Sequence, residues 1–116
     1  MQIPRPTDAD KERFRALVPR DANVEIKPMF GNLGAFVNGN MFMGLFGSDI
    51  GVKLSPADQE RLREVGGGSF GPAEHPMSGY VSLPEAATPG QIAEWTASAL
   101  AYVAGMPPKQ PKSRKP

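Results

Sequence analysis

The sequence is most constrained at residues 29–47, MFGNLGAFVNGNMFMGLFG, where eleven apolar and five glycine residues occur together without a single charge. In the middle lies Asn38-Gly39, a pair that readily adopts the positive φ angles of a two-residue type I′ turn. We therefore predict a β-hairpin with its loop at these two residues. Such a loop sets the register, which pairs Val37 with Asn40, Phe36 with Met41, Ala35 with Phe42, and Gly34 with Met43.

The predicted hairpin is apolar on both faces. Because side chains alternate across a strand, one face is expected to carry Leu33, Ala35, Val37, Phe42 and Phe46. The other face is expected to carry Phe36, Met41, Met43 and Leu45. A hairpin of this kind belongs in the centre of a sheet, where helices cover one face and another part of the molecule covers the other.

Three helices are predicted from their N-terminal capping signals. Thr7 precedes a helix over residues 8–18, and Ser55-Pro56 precedes a second helix that ends at Gly66. Thr88 and Gln91 form the capping pattern of a third helix. The residues expected to face the core are Phe14, Leu17 and Val18 from the first helix, Leu62 and Val65 from the second, and Ile92, Trp95, Ala99, Tyr102, Val103 and Met106 from the third.

Further strands are predicted at residues 24–29, 50–54 and 80–83, and a long irregular loop at residues 66–79. The predicted order is α-β-β-β-β-α-β-α, which is typical of a two-layer α+β domain with an antiparallel sheet of about five strands and three helices. We expect a single domain over residues 1–106. Residues 107–116, PPKQPKSRKP, are rich in proline and lysine and are predicted to be a disordered tail.

Charge is distributed unevenly between the predicted domain and the tail. The whole chain of 116 residues has a net charge of +1. Four of its thirteen basic residues lie in the tail, which leaves nine against twelve acidic residues, so residues 1–106 carry about −3. No signal peptide or apolar segment of membrane-spanning length is recognisable, and there is no cysteine. We therefore expect a cytoplasmic protein without disulfides.

No motif predicts a catalytic residue, a cofactor site or a metal site. Residues 67–71, GGSFG, match the G-x-S-x-G pattern of a nucleophile elbow, but a helix end precedes them and Pro72 follows, whereas that motif needs a strand before it and a helix after it. His75 is the only histidine, so a zinc site would lack ligands. Gly31 and Gly34 are interpreted as allowing a bulge or tight bend at the start of the hairpin.

The glycine-rich hairpin also carries a family resemblance. The run Met29-Phe30-Gly31, followed by an aromatic residue at Phe36, the turn Asn38-Gly39 and then Met41-Phe42, resembles the N-terminal domain of the TfoX (Sxy) family. The resemblance extends over about residues 8–105 through Gly34, Lys53-Leu54, Phe70, Met77, Tyr80, Pro84 and Trp95.

The resemblance implies a compact α+β domain, found alone or at the front of bacterial competence regulators that act on transcription beside a cyclic-AMP receptor protein. It implies no catalytic residue. Because ten polar residues follow Met106, we expect a stand-alone version of this domain, without the second, helical domain of those regulators.

The resemblance and the apolar hairpin together predict a non-enzymatic regulatory module that acts through self-association or a protein partner. The candidate interface consists of Phe36, Met41, Phe42 and Met43. A competing interpretation is that the 66–79 loop and the N-terminal arm fold over this surface. An alternative function is nucleic-acid association through Lys109, Lys112, Arg114 and Lys115 of the tail. A third is an enzyme or small-molecule binder that uses the 66–79 loop as a lid.

Overall fold

A computed structural model describes residues 5–29, 31–72 and 74–108 and confirms the α+β class predicted from the sequence. Over these residues the chain forms three helices and five strands in the predicted order. They are α1 (Asp8–Leu17), β1 (Val24–Met29), β2 (Asn32–Val37), β3 (Asn40–Phe46), β4 (Asp49–Lys53), α2 (Pro56–Glu64), β5 (Tyr80–Ser82) and α3 (Pro89–Ala104).

The sheet is an antiparallel meander in which the strands lie side by side in chain order, β1-β2-β3-β4-β5. The helix α2 and the 66–79 loop form the connection between β4 and β5. The helix α3 packs against β2, β3 and β4, and α1 packs against α3 and β2. The core lies between these helices and one face of the sheet, and Leu62 of α2 is buried in the same cluster.

Side-chain caps begin the helices where the sequence predicts. The hydroxyl of Thr88 accepts a hydrogen bond from the Gln91 N–H at 3.2 Å, and the Gln91 side chain accepts one from the Thr88 N–H at 2.9 Å. Thr7 and Asp10 form the same reciprocal box at the start of α1. Such boxes satisfy backbone N–H groups that have no partner inside the helix.

Two predictions about helix faces are wrong. Val65 is 62% exposed because α2 ends one residue earlier, and Tyr102 of α3 is 37% exposed. The buried stripe of α3 runs instead through Ile92, Thr96, Ala99 and Val103. Thr96 tolerates burial because its hydroxyl donates a hydrogen bond to the Ala93 carbonyl at 3.0 Å, which leaves the methyl group to pack in the core.

The predicted turn is confirmed, and the predicted register holds only next to it. Asn38 and Gly39 both have positive φ, at 55° and 80°. Val37 pairs with Asn40 and Phe36 with Met41, as expected, but the register then shifts. Ala35 pairs with Met43 rather than Phe42, and Gly34 pairs with Gly44 rather than Met43.

The shift is a β-bulge in β3, and it reverses the expected faces of the residues that follow it. A bulge places two residues of one strand opposite one residue of its partner, so the alternation resumes out of phase. Met43 and Leu45, predicted to share a face with Phe36 and Met41, lie instead in the core beneath the helices at 0% and 4% exposure. Phe42 is also fully buried there, whereas Phe46, predicted to share its face, lies on the other side of the sheet.

Candidate interaction face

The sheet face opposite α1 and α3 carries a row of glycines. Gly34, Gly44 and Gly51 lie directly opposite one another on β2, β3 and β4. Around this row stand Phe36, Met41, Phe46 and Tyr80, and we call this side of the sheet the open face. The three missing side chains leave a shallow trough across it, in which other groups can approach the backbone closely.

Two side chains fill part of the trough. Phe70, only 2% exposed, lies on Gly51 so closely that a Cβ there would overlap its ring. The Met41 sulfur lies over Gly34, where a Cβ would be 2.9 Å away, and the Met41 methyl lies over Gly44, where a Cβ would be 3.2 Å away. Phe70 also contacts the ring of Phe46, with centroids 6.2 Å apart in an edge-to-face arrangement. Glycine is therefore required here for packing rather than for a turn.

Backbone hydrogen bonds anchor the start of the 66–79 loop to the sheet and join two positions within the loop. Gly68 and Ser82 exchange backbone hydrogen bonds of 3.3 and 2.8 Å, which extends the sheet beyond β5. The N–H of Met77 donates to the Phe70 carbonyl at 2.8 Å and closes the loop upon itself. In its described residues the loop packs on the open face through Phe70, as the interpretation that competes with an interface expects of it. Residues 1–4 of the N-terminal arm lie outside the described part of the chain.

Between the loop and the sheet lies an apolar cavity of about 250 Å³. Its lining includes Met29, Leu33, Met41, Phe46, Phe70 and Met77. Asn32 is the polar side chain of the lining, and its Oδ1 accepts a hydrogen bond from the Gly47 N–H at 2.8 Å. Asn32 thus stabilises the β3–β4 turn. The apolar lining of the cavity is typical of a site for a small apolar group.

A groove of about 330 Å³ continues from the cavity toward the hairpin turn. The two share Met29, Met41 and Met77, and the groove adds Lys53 and Met106. The Lys53 Nζ lies 5.2 Å from the centroid of the Tyr80 ring, and the Lys27 Nζ lies 5.1 Å from that of Phe36. Cations at these distances are attracted to the ring faces. The open face therefore combines methionines and aromatic rings with two lysines.

Tyr80 connects β5 to the central strand of this face. Its hydroxyl donates a hydrogen bond to the Met41 carbonyl at 2.8 Å. That carbonyl lies next to the bulge, where the regular ladder is interrupted. Burial raises the pKa of the Tyr80 phenol to about 12, because the charged phenolate would be poorly solvated. Tyr80 thus remains a hydrogen-bond donor throughout the neutral range.

Comparison with known families identifies this arrangement. A family model for the TfoX N-terminal domain matches residues 12–103, which include every strand and most of the three helices. This chain belongs to the TfoX N-terminal domain family. The family is a regulatory and non-catalytic one. The sequence has no significant match among curated proteins. None of the helices in the described residues of this TfoX N-terminal domain has the length and apolar character needed to cross a bilayer.

The four residues predicted as an interface are divided between the two faces. Phe36 and Met41 are half-buried on the open face, whereas Phe42 and Met43 are fully buried under the helices. The four basic residues predicted as nucleic-acid contacts lie outside the described residues. Ser69, from the G-x-S-x-G match, and His75, the single histidine of the sequence, are exposed in the loop. The described residues contain no group of three or more side chains arranged to hold a metal.

Sequence reasoning missed four residues that line the open face. They are Met29, Phe46, Phe70 and Met77, for none of which the sequence pattern predicts a place on this face. The sequence signal that could identify this face is the set of glycines, because Gly34, Gly44 and Gly51 lie on successive strands. Three glycines in neighbouring strands predict that bulky groups from another segment approach the sheet there.

We expect Gly51→Ala to destabilise the TfoX N-terminal domain by about 1–3 kcal/mol, because the added methyl group displaces the Phe70 ring. The measurement is urea denaturation of single and double variants. In a Phe70→Ala background the cost should fall substantially, since the obstructing ring is gone. Gly44→Ala is the matched control and should cost less, because its neighbour is the flexible end of Met41. Equal costs in both backgrounds would contradict the packing described.

The raised pKa of Tyr80 predicts a loss of stability at high pH. The folded state holds the phenolic proton more tightly than the unfolded state, so the associated stability is complete below pH 10 and is lost as the pH rises towards about 12. Urea denaturation between pH 8 and 12 should show this decline. Tyr80→Phe should remove that contribution to the decline, and Tyr102→Phe, the exposed control, should retain it. A decline of the same size in both variants would rule out Tyr80 as the group responsible.

Proposed function

We propose that this TfoX N-terminal domain is a regulatory interaction module that self-associates through its open face. The observation that carries the proposal is the set of half-buried apolar side chains on this face, one of which comes from the 66–79 loop that covers the glycine row. They include Met29, Phe36, Met41, Phe46 and Met77. Contiguous apolar surface of this kind is typical of protein interfaces.

The chemistry of these side chains supports an adaptable contact. Methionine is unbranched and polarizable, and it fills irregular gaps against different partner surfaces. Phe36 adds a rigid aromatic group of the type that contributes most binding energy at interfaces. A self-complementary dimer would bring this patch against its own copy across a twofold axis.

The sheet edge at β1 is less suited to pairing with another chain. It carries Glu25 and Lys27, which form an ion pair at 3.5 Å, and Pro28, which has no N–H to donate. Charged residues and proline on an edge strand discourage strand addition. Contact through the face is therefore favoured over contact through the edge.

Sedimentation equilibrium over micromolar concentrations tests the proposal with Phe36→Lys and Val65→Lys. Phe36→Lys places a second cation beside Lys27 and should weaken the dimer about tenfold or more. Val65→Lys alters an exposed apolar residue on α2 and should leave the dissociation constant unchanged. A wild-type chain that remains monomeric throughout this range, or equal effects of both substitutions, would overturn the proposal.

A second candidate function is nucleic-acid association through the basic tail. Asn40 Nδ2 donates a hydrogen bond to the Pro107 carbonyl at 3.0 Å, which holds the chain leading into the tail next to the groove that contains Lys53. The residues that follow, from position 109 onward, carry four cations and no acid.

Removal of residues 109–116 tests this second candidate. If each of the four cations neutralises one phosphate, the affinity for duplex DNA should decrease as salt is added. A plot of the logarithm of the association constant against the logarithm of the salt concentration should then have a slope of about −3.6. The truncated chain should lose this dependence together with the affinity. Absence of binding by both chains at low salt would exclude the nucleic-acid function and leave self-association unaffected.

A further inference from the structure

The apolar cavity on the open face is large enough to hold a small molecule. An apolar protein cavity of about 150 Å³ is already sufficient to bind benzene. The present cavity of about 250 Å³ can therefore accommodate a larger group, such as a substituted aryl ring or an alkyl chain of medium length.

The lining selects an apolar group for this position. Methionine and phenylalanine side chains form most of the wall, and the trough over Gly44 forms part of the floor. The Oδ1 of Asn32 is engaged by the Gly47 N–H inside the β3–β4 turn. A ligand atom that needs hydrogen bonds would lose them on entering this wall, whereas an alkyl or aryl group would lose only contact with water.

The positive charge of Lys53, at the far end of the adjoining groove, favours an anionic group in the ligand. Lys53 is the charged side chain among its described lining residues, and no carboxylate of the described part of the chain borders either the cavity or the groove. The two ion pairs found among the described residues, Glu25–Lys27 and Asp58–Arg61, do not involve Lys53. Because the groove and the cavity share Met29, Met41 and Met77, one molecule can reach from the apolar pocket to this lysine.

We propose that the open face binds a small amphiphilic carboxylate, with its alkyl or aryl group in the cavity and its carboxylate at Lys53. The loop carrying Phe70 and Met77 covers the apolar part, and the lysine remains accessible from solvent. This binding does not require self-association, although both use Met41 and Met77.

Methyl resonances of the methionines provide a direct assay with the full chain. Octanoate is added below its micelle concentration, at a protein concentration where sedimentation shows a single species. The methyl groups of Met29, Met41 and Met77 should shift with saturation. Met43, fully buried on the helix face, serves as the internal reference and should not shift. Acetate, which lacks the apolar group, should produce no saturable shift.

Two comparisons separate the apolar and charged parts of the site. Octan-1-ol should bind about fivefold more weakly than octanoate, and Lys53→Gln should remove this difference by weakening octanoate alone. Gly44→Val fills part of the cavity and should weaken the binding of both octanoate and octan-1-ol. If this variant does not fold, the Lys53→Gln variant and the comparison of octanoate with acetate still test the site. Anionic phosphatidylglycerol vesicles should not bind, because the cavity admits one chain end rather than a membrane surface.

The proposal would be overturned if octanoate produced no saturable shift, or if Met43 shifted as much as the cavity methionines. It would also be overturned by equal affinity for octanoate and octan-1-ol, or by binding of vesicles without binding of octanoate. Sedimentation of the wild-type chain without ligand measures self-association independently of ligand binding. Failure of either proposal therefore leaves the result for the other intact.

Discussion

Close contact between bulky side chains and the bare backbone of three glycines organises the open face. At Gly51 the Phe70 ring occupies the space that any other residue would need for its Cβ. Met41 uses the corresponding space above Gly34 and Gly44. These contacts fix the 66–79 segment against the sheet. The cavity and the groove form because Met77 of that segment lies over the open face and lines both of them. Residues without side chains thus determine where the apolar side chains of two other segments are placed.

The bulge in β3 is the second constraint, since it decides which side chains face the helices. Without the extra residue, Met43 and Leu45 would point away from α3, and Phe46 would point into the core. With it, Phe42 and Met43 both enter the core, and Met41 remains outside. The Tyr80 hydroxyl bonds the carbonyl of Met41, next to this irregularity, so a side chain from β5 stabilises a break in the ladder of β3.

Most of the fold could be predicted from the sequence because its signals are local. Capping residues and the Asn-Gly pair act within a few positions, and the helix starts and the hairpin turn are confirmed. The faces of Met43, Leu45 and Phe46 could not be predicted, because a bulge depends on packing with helices distant in the chain. Phe70 was missed for a similar reason. It lies in a segment without periodicity, and its partner Gly51 is 19 positions away.

The order of the strands has a consequence for how the chain is made. Because each strand pairs with the one before it, the first four can assemble as they leave the ribosome, through contacts close in sequence. The ring that shields the glycine row comes only at residue 70, and the fifth strand ten residues later. A chain from which about sixty residues have emerged therefore exposes the glycine row before Phe70, the residue that covers it, can pack there, and exposed apolar surface of this kind makes a partly folded chain prone to aggregate.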